Sequence, residues 1–197
     1  MGARHDAVEE TRLAITEATM RLHERVGPRA TTVSAVAEEA NVTRLTVYRH
    51  FPNDEALVIA CSAHWSELHP RLDPAAWARI HDPVARLRIA LNETYRWWAT
   101  AAPMMTMIHR DVDVMPSFVG EYLAADEKHR VAVLAVGFGA RRRRATQRLR
   151  VALAHALRLS TWQSLCADGG LTDIEATDLM IGAVLAAGGL TARPPNG

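Results

Sequence analysis

The spacing of apolar residues constrains this fold more than any other feature of the sequence. Apolar residues recur every three to four positions along almost the whole chain, and nowhere do they alternate with polar residues as they would in a strand. Of the 197 residues, 49% are hydrophobic, which is enough to bury a core. Proline and glycine divide the pattern into about nine segments. The sequence therefore predicts an all-α fold.

The first predicted helix runs from about Asp6 to Val26. It ends at Gly27-Pro28, because glycine suits the position after a helix and proline cannot continue one. Its buried face is expected to comprise Val8, Leu13, Ile15, Ala18 and Leu22.

Three further helices follow at short intervals, each after a polar residue that can accept free backbone N–H groups. They are predicted over 33–40 after Thr31-Thr32, over 44–50 after Thr43, and over 55–69 after Asp54. Asn41 ends the first of these three, since asparagine tolerates the left-handed conformation.

The second and third helices follow the helix-turn-helix plan of two short helices joined by a tight turn. Their internal core is predicted to comprise Val36, Ala37, Val42, Val47 and Phe51. The third helix then presents to solvent Thr43, Arg44, Leu45, Thr46, Arg49 and His50. A recognition helix needs this arrangement, because such side chains enter the major groove of DNA first.

The segment from Arg12 to Leu57 resembles the N-terminal domain of the TetR family of transcriptional regulators. The stretch similar to the most diagnostic part of that domain is Val42-Thr43 through Val47-Tyr48-Arg49-His50-Phe51-Pro52-Asn53. The resemblance implies a three-helix DNA-binding domain, expected at 1–52, and a larger helical effector-binding and dimerisation domain, expected at 53–190. The tail 191–197 is expected to be disordered.

The resemblance also implies roles for single residues at the start of the second helix and along the third. The expected phosphate contacts are Thr32, Tyr48 and His50, and the residues expected to face base edges are Arg44, Leu45 and Thr46. Arginine can bind guanine there, and apolar groups can pack on the thymine methyl. Arg49 suits either role. For Thr43 helix capping is the simpler explanation, and Tyr48 can alternatively pack against the first helix.

Two residues depart from the family pattern. Asn41 stands where the family usually has glycine, and Asp54 stands where it usually has a lysine that contacts phosphate. Asp54 replaces attraction with repulsion, so we expect fewer ionic contacts with DNA and a shallower salt dependence. The net charge is only +1 and the first 60 residues are slightly acidic. DNA binding must therefore depend on where charges lie, not on their number.

Proline marks the helices of the larger domain. Pro83 suits the first turn of a helix that reaches about Thr100, and Pro103 and Pro116 are predicted to bracket a short methionine-rich helix. Three longer helices are predicted over 117–136, 141–167 and 172–187.

Aromatic and methionine side chains cluster in the middle of this domain. Such side chains can line an adaptable apolar pocket, or can simply form a helical core. The residues concerned are Tyr95, Trp98, Met104, Met105, Met107, His109, Phe118, Tyr122 and Trp162. Because the central helices form the effector pocket in the resembled family, the cluster is expected to bind a small hydrophobic or aromatic effector.

The last two predicted helices carry more apolar surface than one side of a monomer needs. The residues expected at a dimer interface are Leu153, Leu157, Leu165, Leu179, Met180, Ala183 and Val184. Two such helix pairs related by a two-fold axis would form a four-helix bundle, as the resemblance also implies.

No constellation of catalytic or metal-ligating residues is recognisable, so neither an enzyme nor a metal or cofactor site is expected. Cys61 and Cys166 are expected to be buried reduced thiols. The run Arg141–Arg144 is expected to be a solvated helix start, with an acidic partner as the alternative. The chain shows no signal peptide and no membrane span, which predicts a cytoplasmic protein.

The sequence thus predicts a repressor that binds a palindromic double-stranded DNA operator as a homodimer and is released by a small apolar molecule. The alternative is a ligand-independent DNA-binding protein whose second domain serves only dimerisation. A cavity in the second domain would favour the ligand-responsive regulator, and a solid core would favour the alternative.

Overall fold

The computed structural model describes residues 2–139 and 143–190, and every regular element in these residues is helical. The α-helices are, in chain order, α1 (Gly2–Arg25), α2 (Val33–Glu39), α3 (Arg44–His50), α4 (Asp54–Leu68), α5 (Pro74–Ala78), α6 (Pro83–Asp111), α7 (Ser117–Ala135), α8 (Arg143–Leu157), α9 (Leu159–Trp162) and α10 (Asp173–Gly188). Short 3₁₀ turns occupy Pro28–Ala30 and Val112–Val114, and a π-helical turn occupies Gln163–Asp168. The predicted all-α fold is confirmed. The tail 191–197 lies outside the described residues, as do Arg141 and Arg142.

The chain divides into two compact units. Unit 1 comprises the residues up to Arg71 together with Ala101–Glu121, and unit 2 comprises Leu72–Thr100 together with the residues from Tyr122 onward. The division expected after residue 52 falls inside unit 1, because α4 packs against α1.

Helices α1 to α4 share one apolar core in unit 1. Its buried members are Ile15, Leu22, Val36, Ala37, Val47, Phe51 and Leu57. Val42 is half-buried and packs against this core. Four of the buried members come from α2, α3 and the residue that ends α3, so burial fixes which side of the helix-turn-helix faces outward.

The buried face of α1 differs from the predicted one. Ile15, Ala18 and Leu22 are buried as predicted, but Val8 and Leu13 are each 46% exposed, and the prediction for these two is wrong. Leu13 precedes Ile15 by two positions, which is about 200° of helical rotation, so the two cannot share a face. The other buried residues of α1 are Thr16, Thr19 and His23.

The cap of α4 is Asn53, so the prediction that Asp54 caps this helix is wrong. The Oδ1 atom of Asn53 accepts the backbone N–H of Ala56 at 2.8 Å. Asp54 is instead the first residue of the helix, where its carboxylate favours the positive end of the helix dipole.

Helix α6 continues through Pro103, so the predicted end near Thr100 and the separate methionine-rich helix are wrong. A proline in a helix interior removes one backbone hydrogen bond and costs about 3 kcal/mol. Ala101, Met104 and Met105 are buried on either side of Pro103, and their burial offsets that cost.

Helix α8 ends earlier than predicted, because Arg158 is extended with φ −72° and ψ 145°. The break leaves carbonyl groups at the end of α8 without helical partners. The Tyr95 hydroxyl donates to the Ala156 carbonyl at 3.0 Å, and the Trp98 indole N–H donates to the Leu157 carbonyl at 3.1 Å. These two side chains of α6 therefore stabilise the break within unit 2.

Helix α10 begins with a capping box. Thr172 Oγ1 accepts the backbone N–H of Glu175 at 3.3 Å, and the Glu175 carboxylate accepts the backbone N–H of Thr172 at 2.9 Å. The observed span, Asp173–Gly188, agrees closely with the predicted one.

The described part of the chain contains no helix with the length and apolarity needed to cross a membrane. The same residues contain no group of three or more His, Cys, Asp and Glu side chains that could hold a metal ion. Cys61 is buried and Cys166 is half-buried, and both are free thiols.

Candidate nucleic-acid interface

Local hydrogen bonds build the helix-turn-helix as the sequence predicts. Thr32 Oγ1 accepts the backbone N–H of Ala35 at 3.1 Å and so caps α2. Thr43 Oγ1 accepts the backbone N–H of Thr46 at 3.1 Å and caps α3. Between the two helices Asn41 adopts φ 54°, in the left-handed region. Both predicted caps and the predicted turn residue are confirmed.

Helix α3 turns one face into the core and the other to solvent. Val47 and the following Phe51 are 1% and 2% exposed, which anchors the inner face. On the outer face Leu45 is 79% exposed, the largest exposure among the large apolar side chains of the described residues. A single exposed apolar side chain is common on protein surfaces, so the exposure of Leu45 shows that this side of α3 is turned away from the core.

The predicted DNA contacts lie at the two helix starts and along the outer face of α3. Those that are exposed are Thr32, Thr43, Arg44, Leu45, Tyr48 and Arg49, and those that are half-buried are Thr46 and His50. The hydroxyl groups of Thr43 and Thr46 also bond to each other at 2.9 Å. Tyr48 is 44% exposed, so its ring is only partly covered and the residue remains accessible.

The arginines of unit 1 fall into two electrostatic groups. Arg21 and Arg25 bind the Glu39 carboxylate at 3.0 and 2.7 Å, which ties α1 to α2. Arg44 and Arg49 form no ion pair with any residue that the structure describes. Acidic side chains thus neutralise arginines away from α3 and leave the cations of α3 available. The segment as a whole is slightly acidic, yet the two arginines on α3 are not neutralised by an ion pair with any described residue.

The imidazole of His50 is half-buried at the end of α3. Burial lowers its pKa, and the nearby cations of Arg49 and Arg12 lower the pKa further, against a smaller opposing effect of Glu9. The lowered pKa favours the neutral imidazole in the free protein.

Sequence reasoning missed Arg12, a residue of α1 whose side chain contacts the C-terminal end of α3. Its Nη1 atom donates to the His50 carbonyl at 2.9 Å, and its guanidinium lies 4.4 Å from the centre of the Phe51 ring. The sequence contains one signal for this contact: Arg12 lies three residues before Ile15, on the side of α1 that faces the core.

A second group of polar contacts in unit 1 surrounds the turn after α1. The buried Asp111 carboxylate accepts the backbone N–H of Arg29 at 3.1 Å and the Arg110 guanidinium at 2.8 Å. Arg110 also donates to the Val26 carbonyl at 2.8 Å. Arg29 binds the Asp113 carboxylate at 2.5 and 2.6 Å. These side chains fix the turn that leads from α1 into the helix-turn-helix.

The predicted effector contacts are divided between the two units. Unit 2 holds Tyr95, Trp98, Tyr122 and Trp162, and unit 1 holds Met104, Met105, Met107, His109 and Phe118. The polar atoms of Tyr95 and Trp98 already bond to backbone carbonyls, and burial raises the pKa of the Tyr95 phenol. The hydrogen-bonding atoms of these two side chains are therefore used within the fold of the protein. His109 and Tyr122 are exposed.

An open surface pocket of about 350 Å³ in unit 2 lies elsewhere, between the end of α7 and the first turns of α8. Its lining comprises Ala132, Ala135, Val136, Phe138, Gly139, Thr146, Leu149 and Arg150. None of the predicted effector contacts belongs to this lining.

The residues predicted at a dimer interface divide into buried and exposed sets. Leu153, Leu157, Met180 and Val184 are buried inside the protomer, because α8 and α10 pack against each other and use these faces. Their assignment to an intersubunit surface is corrected. Leu165 is half-buried, whereas Leu179 is 53% exposed and Ala183 is exposed.

Comparison with known sequences agrees with the helix-turn-helix found in the structure. Residues 15–61 match the family described as bacterial regulatory proteins, tetR family, a segment that contains α2 and α3. The HTH-type transcriptional regulator TtgR of Pseudomonas putida is 34% identical over 91 residues, which are 46% of this chain and 43% of TtgR. The match thus spans less than half the length of that relative.

Comparison with solved structures extends over most of the chain. A TetR-like transcriptional regulator from Rhodococcus sp. RHA1 superposes with a TM-score of 0.64 at 15% identity, over 88% of this chain and 93% of that one. AibR, solved in complex with isovaleryl coenzyme A and operator DNA, superposes with a TM-score of 0.62 at 23% identity, over 87% and 96% of the two chains. At these identities the likeness shows the fold, an N-terminal helix-turn-helix followed by a helical domain.

Proposed function

This chain belongs to the TetR family, and we propose that it is a transcriptional regulator that binds a palindromic DNA operator as a homodimer. The observation that carries the proposal is the outer face of α3, where Leu45 is 79% exposed beside the arginines Arg44 and Arg49. An apolar side chain between free cations suits a major groove, which offers guanine acceptors and thymine methyl groups.

The proposed contacts with the DNA backbone come from Thr32, Tyr48 and His50. The Thr32 oxygen accepts a backbone N–H in capping α2, and its hydroxyl proton remains available for a phosphate oxygen. His50 can donate an imidazole N–H to a phosphate oxygen. Such contacts position the protein on DNA, whereas Arg44, Leu45 and Thr46 read the base edges.

Dimerisation is proposed through the exposed apolar residues of α8 and α10. These are Val151, Ile174, Leu179, Ala183 and Ala186. Leu179, Ala183 and Ala186 recur at helical spacing on α10, and the small alanines permit close approach of a partner helix. A palindromic operator has two half-sites, and a dimer with two-fold symmetry supplies one recognition helix for each.

Control by a small apolar effector is proposed as well. Met107 and Phe118 of unit 1 are half-buried and keep side-chain surface that a ligand can cover. An effector acts only if it binds the DNA-competent and DNA-incompetent states with different affinity. One observation favours the ligand-independent alternative: the polar atoms of Tyr95 and Trp98 are already satisfied within the protein. Loss of operator binding on adding a small apolar compound, with the protein still dimeric, would separate the two.

The test of DNA recognition is genome-wide footprinting with the purified protein, followed by binding assays on the recovered sequence. Arg44→Ala is expected to weaken specific binding by about ten- to a hundredfold and to relax base preference at one position of each half-site. Arg79→Ala, which removes an exposed arginine of unit 2, serves as the charge-matched control and is expected to leave affinity unchanged. Footprints without a common palindrome, or equal losses in both variants, would refute recognition through α3.

A further inference from the structure

The C-terminal end of α3 is held by a side chain from another helix. The last carbonyl groups of a helix lack intrahelical donors and carry partial negative charge. Arg12, on α1, meets this need by donating Nη1–H to the His50 carbonyl at 2.9 Å. The fixed positive charge of a guanidinium also complements the helix dipole at this end.

The position of Arg12 is itself fixed by the core. Its guanidinium lies 4.4 Å from the centre of the Phe51 ring, and Phe51 is only 2% exposed. The arginine is half-buried, in contrast to the exposed Arg44 and Arg49. Stacking on a buried ring restricts the side chain to one orientation, so its hydrogen bond constrains the backbone of α3.

We propose that Arg12 is a positioning residue for DNA recognition, which holds the end of α3 on α1 through the His50 carbonyl and the Phe51 ring without contacting DNA itself. The inference rests on the proposed function of α3 as the recognition helix. Tyr48 and His50 lie in the turn that Arg12 anchors, and Arg44 and Thr46 lie in the turn before it. An anchor at one end therefore sets the angle at which all four side chains meet the groove.

The salt dependence of binding distinguishes positioning from direct contact. A lost phosphate contact reduces the slope of log affinity against log salt concentration by about one. A lost anchor weakens binding without changing that slope, because the number of ionic contacts stays the same. Arg12→Met is therefore expected to weaken operator binding by about tenfold, an effect typical of losing one charge-assisted hydrogen bond, with an unchanged slope. Arg79→Met is the charge-matched control.

Two further measurements keep the inference falsifiable if Arg12→Met is poorly folded. Arg12→Lys retains a cation that can bond the same carbonyl, so it is expected to restore part of the affinity with normal helicity. An NMR titration of His50 is expected to show a higher pKa in Arg12→Met, because a neighbouring cation is removed while Arg49, Glu9 and the burial of the ring remain.

The outcomes separate the two proposals. A wild-type protein that selects no DNA sequence refutes the proposed function before any variant is compared. If the wild type binds an operator and Arg12→Met binds it equally well, Arg12 does not position α3. A slope reduced by about one in Arg12→Met shows that Arg12 contacts a phosphate, which also overturns the inference.

Discussion

The Asp111 carboxylate accepts the backbone N–H of Arg29 at 3.1 Å, across 82 residues of sequence. Asp111 is 1% exposed and also binds the guanidinium of Arg110, its neighbour in the chain. The turn after α1 thus depends on a carboxylate at the end of α6. A buried acceptor with one backbone and two side-chain donors is expected to remain ionised far into the acid range.

Asp111→Asn is expected to destabilise the protein at neutral pH and to have less effect in acid. The Arg110 guanidinium, followed by the backbone N–H of Arg29, lowers the pKa of Asp111 from 3.8 to about 2. A carboxylate with a lowered pKa contributes stability that is present above pH 3.8 and is lost as the pH falls through about 2. The difference in unfolding midpoint between wild type and variant should therefore be constant from pH 7 to about pH 5 and shrink below about pH 4.

Asp113→Asn provides the control for this comparison. Asp113 also binds Arg29, but its side chain is 66% exposed. An exposed ion pair contributes little, so this variant should lose much less stability than Asp111→Asn at pH 7. Equal losses in the two variants would show that the burial of Asp111 is unimportant.

Gly27→Ala is expected to destabilise unit 1 more than the matched change Gly170→Ala destabilises unit 2. Both glycines have positive φ, 89° and 71°, so alanine is strained at either site, and Gly27 with ψ 162° also lies in a region that is essentially restricted to glycine. At Gly27 a Cβ would also overlap the Arg110 guanidinium and the Asp111 carboxylate, whereas at Gly170 no atom lies within 4 Å. Denaturant unfolding of both variants measures the difference, and similar losses would argue against close packing at Gly27.

The contrast between these contacts and the helix-turn-helix shows what the sequence could predict. The caps Thr32 and Thr43 and the turn residue Asn41 act on backbone groups within four residues, so their roles follow from local pattern. The bonds of Arg12 to His50 and of Asp111 to Arg29 join distant segments. No spacing rule identifies such partners in one sequence.

The wrong interface predictions arise because apolar residues at helical spacing can pack either inside the protomer or against a partner subunit. Leu153 and Val184 are apolar at helical spacing, which suits a core and an interface equally, and the packing of α8 on α10 buries them in the protomer. Pro103 is predicted to separate one helix from the next, but burial of its neighbours keeps α6 continuous. Arg86 is 4% exposed and donates to four backbone carbonyls, a role that its charge does not suggest.

Asp54→Lys is expected to strengthen operator binding and to steepen its salt dependence by about one, because it adds a phosphate contact of the kind the family resemblance implies. Asp54 is exposed in the first turn of α4, so lysine costs only about 0.3–1 kcal/mol of helix stability. Asp54→Asn removes repulsion without adding a cation, and should strengthen binding with an unchanged slope. If the lysine variant keeps the wild-type affinity and slope, Asp54 lies away from the DNA.

Leu179→Glu is expected to convert the proposed dimer into a monomer. Leu179 is 53% exposed on α10, so glutamate is tolerated in a free protomer, whereas a dimer interface would bury its charge without a partner. Val114→Glu introduces the same charge at a 47% exposed apolar residue outside α8 and α10, and should leave the dimer intact. Sedimentation velocity measures the oligomeric state of both variants.

Because two half-sites are bound together only by a dimer, Leu179→Glu should also lose most of its affinity for the full palindrome while retaining weak binding to a single half-site. A variant that remains dimeric would place the interface on another surface.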